Sequence, residues 1–294
     1  MQNFSLHTHT IGFDGQNTEE EMLEKAKELN WTHIGFSNHF IVHPSIKNAP
    51  MYKYALKGGY QNIYSSTFDE AIEKFLPHYQ KIDRLQQKTN IKILKGMEVD
   101  FFASSEWKKG FKKALEILKP DYLIGSAHFM EHKGVLYNSH DLKAASILEQ
   151  KQLLYRYWQN ERAAAQSGLF TFLAHLDLMK KVGIGLDDEW IEEERKTAET
   201  IKKYGVRVEL NTSYFKLGNE PYVGPRIMKI LAMMDIPVLI SDDAHTVAQL
   251  GNHFQQAEDM AKNNGIKTFW NPFKKETNLP LFYQTTHFKP EKHN

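Results

Sequence analysis

Short apolar runs alternate with longer segments of helical period along most of this chain, and nearly every apolar run ends on a nitrogen-bearing or carboxylate side chain. Phe4-Ser5-Leu6 leads into His7-Thr8-His9, residues 33–37 into Asn38-His39, and residues 91–99 end in Glu98-Val99-Asp100. Residues 122–126 continue into Ala127-His128, 170–174 deliver His175 and Asp177, 206–210 stop at Asn211, and 236–241 lead to Asp242-Asp243-Ala244-His245. Runs of this length and composition are strands. Between them, Thr18 and Glu21 form a capping box that starts a helix over 17–29. Further helices are predicted over 68–88 (bent near Pro77), 106–118 (closed by Pro120), 142–167, 187–204, 225–234 and 255–264. Gly168 and Gly205 stop two of them, and Pro225 suits a first helical position. Residues 41–66 lack clear periodicity, are rich in tyrosine, and read as a long loop or lid. A short apolar stretch at 268–270 follows the last helix, and residues from about 274 read as a poorly ordered tail.

Seven strands alternating with helices imply a parallel sheet, and closing that sheet into a barrel makes one domain of residues 1–273, with 274–294 as a C-terminal tail. The chain has no internal repeat and no composition break of the kind a linker leaves.

Composition narrows the chemistry. Charge nearly cancels, with 37 Lys+Arg against 36 Asp+Glu, so there is no broad basic field for nonspecific nucleic-acid binding. Cysteine is absent, so any metal must be held by nitrogen and oxygen. No apolar run approaches the length of a membrane span and no signal-peptide pattern opens the chain, which makes a cytoplasmic location the expectation. The 14 histidines are the compositional oddity.

In a strand, residues i and i+2 share a face, so His7 and His9 can reach one ion together. In a βα barrel the functional side chains sit where strands end. His7, His9, His39, Glu98, His128, His175, Asp243 and His245 all fall there, with Asp14 in the first loop near the same rim. Imidazoles and carboxylates in this mixture suit Zn²⁺, Mn²⁺ or Fe²⁺, and the set exceeds what one ion takes, so two or three divalent ions are expected. Glu98 is the natural bridge, because each carboxylate oxygen can bind one ion. Of the other histidines, His33, His78, His132, His140, His253, His287 and His293 read as structural or surface residues, while His43 is a candidate substrate contact.

His7-Thr8-His9-Thr10, Ser37-Asn38-His39, Gly96-Met97-Glu98-Val99-Asp100, Gly125-Ser126-Ala127-His128 and Asp243-Ala244-His245 together resemble the polymerase-and-histidinol-phosphatase (PHP) superfamily. Ser167-Gly168-Leu169-Phe170, Ala174-His175-Leu176-Asp177-Leu178 and Asn211-Thr212-Ser213 resemble, more narrowly, its histidinol-phosphate phosphatases; the likeness spans about residues 4–251. That resemblance implies an α/β fold, a single distorted (β/α)7 TIM-like barrel, carrying a trinuclear site. It assigns His7, His9, Glu98 and Asp243 to one ion, Glu98, His128 and His175 to a second, and His39, His245 and a first-loop residue to a third. Two departures stand out: Asp14 where the phosphatases commonly have a histidine, and Asp242 where a serine is usual.

The expected reaction is hydrolysis of L-histidinol phosphate, in histidine biosynthesis, by a metal-bridging hydroxide, with Glu98, Asp243 and His245 at the catalytic centre. Lys216 is the basic residue expected to meet phosphate, with Lys180, Lys181 and Arg156 behind it. Asp100 and Asp177 are candidates for the substrate's ammonium and imidazole. Two alternatives stay open: a PHP phosphoesterase acting on a nucleotide or another small phosphate ester, and a catalytically silent metal-binding module. The partner in either catalytic case is a small phosphate ester, with neither nucleic acid nor membrane expected.

Overall fold

The computed structural model describes residues 2–274. Seven strands build the barrel: β1 (Phe4–Ser5), β2 (His33–Phe36), β5 (Lys92–Asp100), β6 (Tyr122–Ser126), β9 (Phe172–Leu173), β10 (Arg207–Asn211) and β11 (Val238–Ser241) are parallel neighbours in that order. The ring comes nearly to closure through a parallel bridge between Thr8 and Ala244, where His9 N–H donates to Ala244 O (2.8 Å) and Ala244 N–H to His7 O (3.2 Å). The (β/α)7 TIM-like barrel expected from the sequence is the observed fold. Around it lie α1 (Glu19–Glu28), α3 (Phe68–Gln86), α4 (Ser105–Leu118), α5 (Ile147–Ser167), α6 (Ile191–Tyr204), α7 (Pro225–Met233) and α8 (Phe254–Asn263). Among the described residues no helix is long and apolar enough to cross a membrane.

Local chemistry explains most boundaries. Thr18 and Glu21 form the capping box that starts α1, and Ser146 with Glu149 forms another that starts α5. The second box divides the single helix predicted over 142–167 into a short 3₁₀ turn, Asp141–Ala144, and α5 proper. Gly168 and Gly205, at φ 67° and 69°, end α5 and α6 in the left-handed conformation that glycine adopts without cost.

The structure corrects the reading of residues 41–66 as a long loop. Its start belongs to β3 (His39–Val42), and it then holds α2 (Pro50–Gly58) and β4 (Tyr64–Ser65), which pairs in parallel with β3. Pro50 opens α2 and Gly59, at φ 74°, ends it. Only Ala55 of that helix is fully buried, so its apolar period was too weak to read. A hairpin of β7 (Phe129–His132) and β8 (Val135–Asn138) was also unanticipated. Its Lys133-Gly134 turn has both residues at positive φ (52° and 76°), the geometry that two-residue hairpins favour. The expected tail, with His287 and His293, lies outside the described residues.

β2 and β3 are two halves of one broken strand. Ile34 pairs with Ile93 early in β5 and His39 with Glu98 late in it, with Ser37-Asn38 between. The barrel interior is a second, smaller core of Phe4, Leu6, Leu94, Tyr122, Ile124, Phe172, Ala174 and Leu239, closed at the N-terminal end by Trp270. The 268–270 stretch seats that plug: Trp270 N–H donates to Val238 O (2.7 Å), and Phe273 stacks on His33. Tyr122, fully buried, crosses the interior to donate its hydroxyl to Leu6 O (2.6 Å). Its ring lies where the Cβ atoms of Gly35 and Gly96 would be. Gly96→Ala is therefore expected to overpack the interior and lower the unfolding free energy by about 1–3 kcal/mol, measured by denaturant titration against an exposed helical Ala substitution as control.

Candidate metal centre

The strand ends aim their side chains at one mouth. His7 and His9 leave β1 on the same face, while Thr8, between them, turns outward to donate its hydroxyl to Gly35 O (2.7 Å). His39 opens β3, Glu98 stands near the end of β5, and His128 follows β6. His175 after β9 and Asp243 after β11 take positive φ (23° and 47°), uncommon for residues with a Cβ. Backbone of this kind persists where the surroundings over-determine it, as at ligand sites.

Three overlapping groups form: His7, His9 and Asp243; His39, Glu98 and His128; and His9, Asp14, His39 and His245. Within each, one donor atom per residue lies within 4.8 Å of all the others. Glu98 is the hub. Its Oε2 is 2.7 Å from His39 Nδ1, 3.3 Å from His7 Nε2 and 3.6 Å from His9 Nε2, while Oε1 is 3.0 Å from His175 Nε2 and 3.4 Å from His128 Nε2. Asp14 completes the third group, with Oδ2 3.1 Å from His39 Nε2 and 3.2 Å from His245 Nε2. Asp243 Oδ1 lies 3.0 Å from His9 Nε2 and 3.6 Å from His245 Nδ1.

Several of these atoms are buried with no hydrogen-bond partner: His7 Nε2, both nitrogens of His9, His39 Nδ1, Asp14 Oδ1 and Glu98 Oε2. Imidazole and carboxylate atoms that converge in a dry site without well-formed hydrogen bonds are what a cation can satisfy, displacing the imidazole protons. The donor set, all imidazole and carboxylate, fits Zn²⁺, Mn²⁺ or Fe²⁺.

Electrostatics says the same. Burial would raise Glu98, but His39, His7 and His128 outweigh it and hold the carboxyl well below its ordinary value. Burial would raise Asp14 and Asp243 too, and His39 beside the first and His7 beside the second are the leading groups that drive them down instead. Burial would lower His7 and His39; Glu209 and Asp14, respectively, lead the carboxylates that raise them well above the usual imidazole range. His128 goes the other way: burial, helped by His175 and His39, keeps it neutral against the pull of Glu98.

Glu209 was not singled out from the sequence. Its Oε1 accepts from His7 Nδ1 (2.6 Å) and from the Ser241 hydroxyl, and its Oε2 from His175 N–H (3.2 Å) and Asn211 Nδ2 (3.0 Å). By accepting a hydrogen bond from His7 Nδ1–H it turns Nε2 towards the cluster, where an ion would displace the Nε2 proton, the carboxylate–histidine arrangement that orients metal ligands. The available signal was a carboxylate set between Val208 and Leu210 two residues before the strand end at Asn211; in the structure it is fully buried. A second support runs through His78. Its Nδ1 meets Glu19 Oε1 (2.8 Å) and its Nε2 meets Asn38 Nδ2 (3.1 Å), while Asn38 Oδ1 accepts from Thr10 N–H (2.8 Å).

The mouth opens into a cavity of about 420 Å³. Lys216 lines it as expected, and so does Lys181, whose ammonium burial pushes down to about 8 with help from Lys216. His140, read as structural, lines it too. Four substrate candidates are elsewhere. Asp100 is buried behind His128, accepting from its backbone N–H (2.7 Å). Asp177 is tied to Lys180 Nζ (2.9 Å) and Gly224 N–H (2.8 Å) beside a separate cavity. His43 and Arg156 line a third cavity, with Phe102 and Trp107. Asp100, Asp177 and His43 lie within four residues of a donor in sequence, and Arg156 lies mid-way along α5, but each side chain has been claimed by another packing surface.

The family described as the PHP domain matches residues 4–213. The chain is 26% identical over 269 residues to a protein of Deinococcus radiodurans named "Probable histidinol-phosphatase", covering 90% of this chain and 93% of that one. A Schizosaccharomyces pombe protein of the same name is 23% identical over 286 residues, covering 89% and 87%. The barrel superposes with a TM-score of 0.64 on a histidinol phosphate phosphatase of Lactococcus lactis, crystallised with zinc, L-histidinol and phosphate; the two are 18% identical, with 90% of this chain and 95% of that one covered.

Two outcomes are expected. Glu209→Gln should weaken metal binding roughly 10–100-fold, read by competition with a metallochromic chelator, while circular dichroism stays that of the parent. Because His7 and His39 carry protons that an ion must displace, apparent metal affinity should fall as pH drops through neutrality, with proton release measurable in weak buffer. Binding that is flat between pH 8 and 6 would contradict that reading.

Proposed function

This chain belongs to the PHP domain family, and from that premise we propose that it is a metal-dependent phosphomonoesterase that hydrolyses L-histidinol phosphate to L-histidinol and phosphate. The observation that carries the proposal is the meeting, in one cavity, of donor residues Asp14, His39, His128, His175, Asp243 and His245 with two cationic side chains, Lys181 and Lys216. A phosphate dianion needs both: metal ligation for its oxygens and ammonium groups for its remaining charge. The names of the curated relatives, and the L-histidinol and phosphate in the Lactococcus lactis structure, support the choice of ester.

The three groups of donors would hold two or three divalent ions, which, when bound, supply Lewis acidity and bring water's pKa towards roughly 7. The chain's own residues do the rest. Glu98 joins the groups through its two oxygens. Glu209 fixes the tautomer of His7 and, through backbone and side-chain bonds, the positions of His175 and Asn211. Asn211 Nδ2 and the Ser213 hydroxyl donate to Asp243 Oδ2 (3.2 and 3.3 Å), leaving Oδ1 turned towards His9. Lys181 and Lys216 orient the phosphate against that cluster. Asp14 keeps the third group complete with an oxygen donor.

Metal-reconstituted protein should release phosphate from L-histidinol phosphate with a kcat/KM well above that for nucleoside monophosphates. Equal values would move the reading to a nucleotide phosphoesterase, and no turnover of any monoester would leave a metal-binding module. Glu98→Gln is expected to lower kcat/KM by roughly a thousandfold or more, together with bound metal. Lys216→Ala and Lys181→Ala should each raise the inhibition constant of inorganic phosphate, by roughly tenfold.

A further inference from the structure

A second cavity, of about 270 Å³, lies beside the metal mouth, where α5, α6 and α7 meet the segment that follows β9. The two cavities share one wall. Leu178 and Lys181 line the metal side of it, whereas Asp177, Met179 and Lys180 line the other. The second cavity is therefore a separate chamber and not an extension of the first. Leu154, Ile184 and Ile227 supply much of its apolar lining. Its charged lining is Asp177, Glu194, Glu220, Lys180 and Arg226, so three carboxylates face two cations and one negative charge is in excess.

Both cations are already spent. Lys180 Nζ donates to Asp177 Oδ2 (2.9 Å), Glu220 Oε1 (2.9 Å) and Pro221 O (2.6 Å), one acceptor for each of its N–H bonds. Arg226 gives Nε–H and one Nη2–H to the Glu194 carboxylate, and its other N–H groups to the carbonyls of Gly185, Leu186 and Asp187. An acceptor is left over: Asp177 Oδ1 is buried with no hydrogen-bond partner. The Trp158 indole is its complement. That side chain is 3% exposed, and its Nε1–H has no acceptor. A desolvated carboxylate oxygen and a desolvated N–H are each costly until something completes them.

We propose that this second cavity is a binding site for a small organic cation: a primary ammonium on a short apolar chain that carries one oxygen acceptor. The ammonium pairs with Asp177 Oδ1, where the excess negative charge favours it. The oxygen accepts from Trp158 Nε1–H, and the chain lies against Leu154, Ile184 and Ile227. An anion finds the guanidinium and ammonium groups already occupied. The occupant also touches the turn that carries His175, because Tyr157 lines the cavity and donates its hydroxyl to Leu176 O (2.9 Å). The site goes beyond the phosphomonoesterase reading and does not depend on it.

The test uses the full-length, metal-loaded protein and three probes that share one body: 3-isopropoxypropylammonium, the neutral 3-isopropoxypropan-1-ol and the anion 3-isopropoxypropanoate. Ligand-detected NMR titration should give the ammonium a dissociation constant about tenfold or more below that of the alcohol, with the carboxylate weakest. Trp158→Phe, which keeps the ring but loses the N–H, should weaken the ammonium probe by roughly fivefold. Ile184→Phe, which fills the cavity without touching a metal donor, should abolish binding. Asp177→Asn should remove the preference for ammonium over alcohol. Because Asp177 also holds Lys180 and Gly224, the half-buried Ile184 decides if that variant does not fold. An ammonium probe that binds no better than the alcohol overturns the proposal. So does parent affinity in both the Trp158→Phe and Ile184→Phe proteins, which would put the bound cation at the metal mouth instead. Binding is read without turnover, so its absence bears on this cavity alone and leaves the phosphatase reading standing.

Discussion

A carboxylate shut away from water is stable only where donors or positive charge surround it. Glu98 is 1% exposed, and His7, His39, His128 and His175 stand between 2.7 and 3.4 Å from its oxygens. Those imidazoles follow four different strands, separated by up to 168 positions of chain. Only a ring of parallel strands brings such residues to one point while keeping each on a rigid element. The buried charge and the barrel therefore require each other: without closure Glu98 would be stranded, and without the cationic demand of its surroundings the mouth would have no reason to stay polar.

Closure itself is a modest set of bonds between the first and last strand ends, at His7, His9 and Ala244. What stiffens it is a layer of polar side chains immediately behind the ligands. Glu209 ties together His7, His175, Asn211 and Ser241, contributed by four neighbouring parts of the ring. The Glu19–His78–Asn38 chain does the same on the opposite flank, reaching Thr10 beside His9 and the backbone beside His39. Networks of this kind hold together when their members are satisfied, whereas His7 Nε2, both nitrogens of His9, His39 Nδ1 and Glu98 Oε2 are left without hydrogen-bond partners on the face where a cation belongs.

The barrel and the donor set were legible because both repeat: apolar run, polar terminus, helix, several times over. His7-x-His9 and Glu98-x-Asp100 carried the signal by position at strand ends. Where periodicity was short, reading failed. The nine-residue α2 buries one alanine, and the β7–β8 hairpin turns on Lys133-Gly134, a pair with no strong turn signature. Substrate contacts were harder for a different reason. Asp177 follows His175 by two residues, yet its carboxylate is held by Lys180 and Gly224, outside the mouth. Proximity in sequence fixes where a residue's backbone goes, and competing partners decide where its charge ends up.

That distinction also separates the ring of donors from the cavity's outer lining. The donor residues lie on strand ends whose geometry the barrel dictates, so they admit little variation. Tyr60, Tyr64 and Phe129 lie on an inserted helix-and-strand segment and a hairpin, attached to the ring but not part of its closure. Such appendages can change length and composition without disturbing Glu98 or Glu209, in the way loops on a rigid scaffold ordinarily carry specificity. The donor groups and the cavity's outer lining are thus carried by separable parts of the chain. The near-neutral net charge leaves the cavity's polarity to local residues, Lys181 and Lys216 beside the donor groups, rather than to a sign on the whole protein.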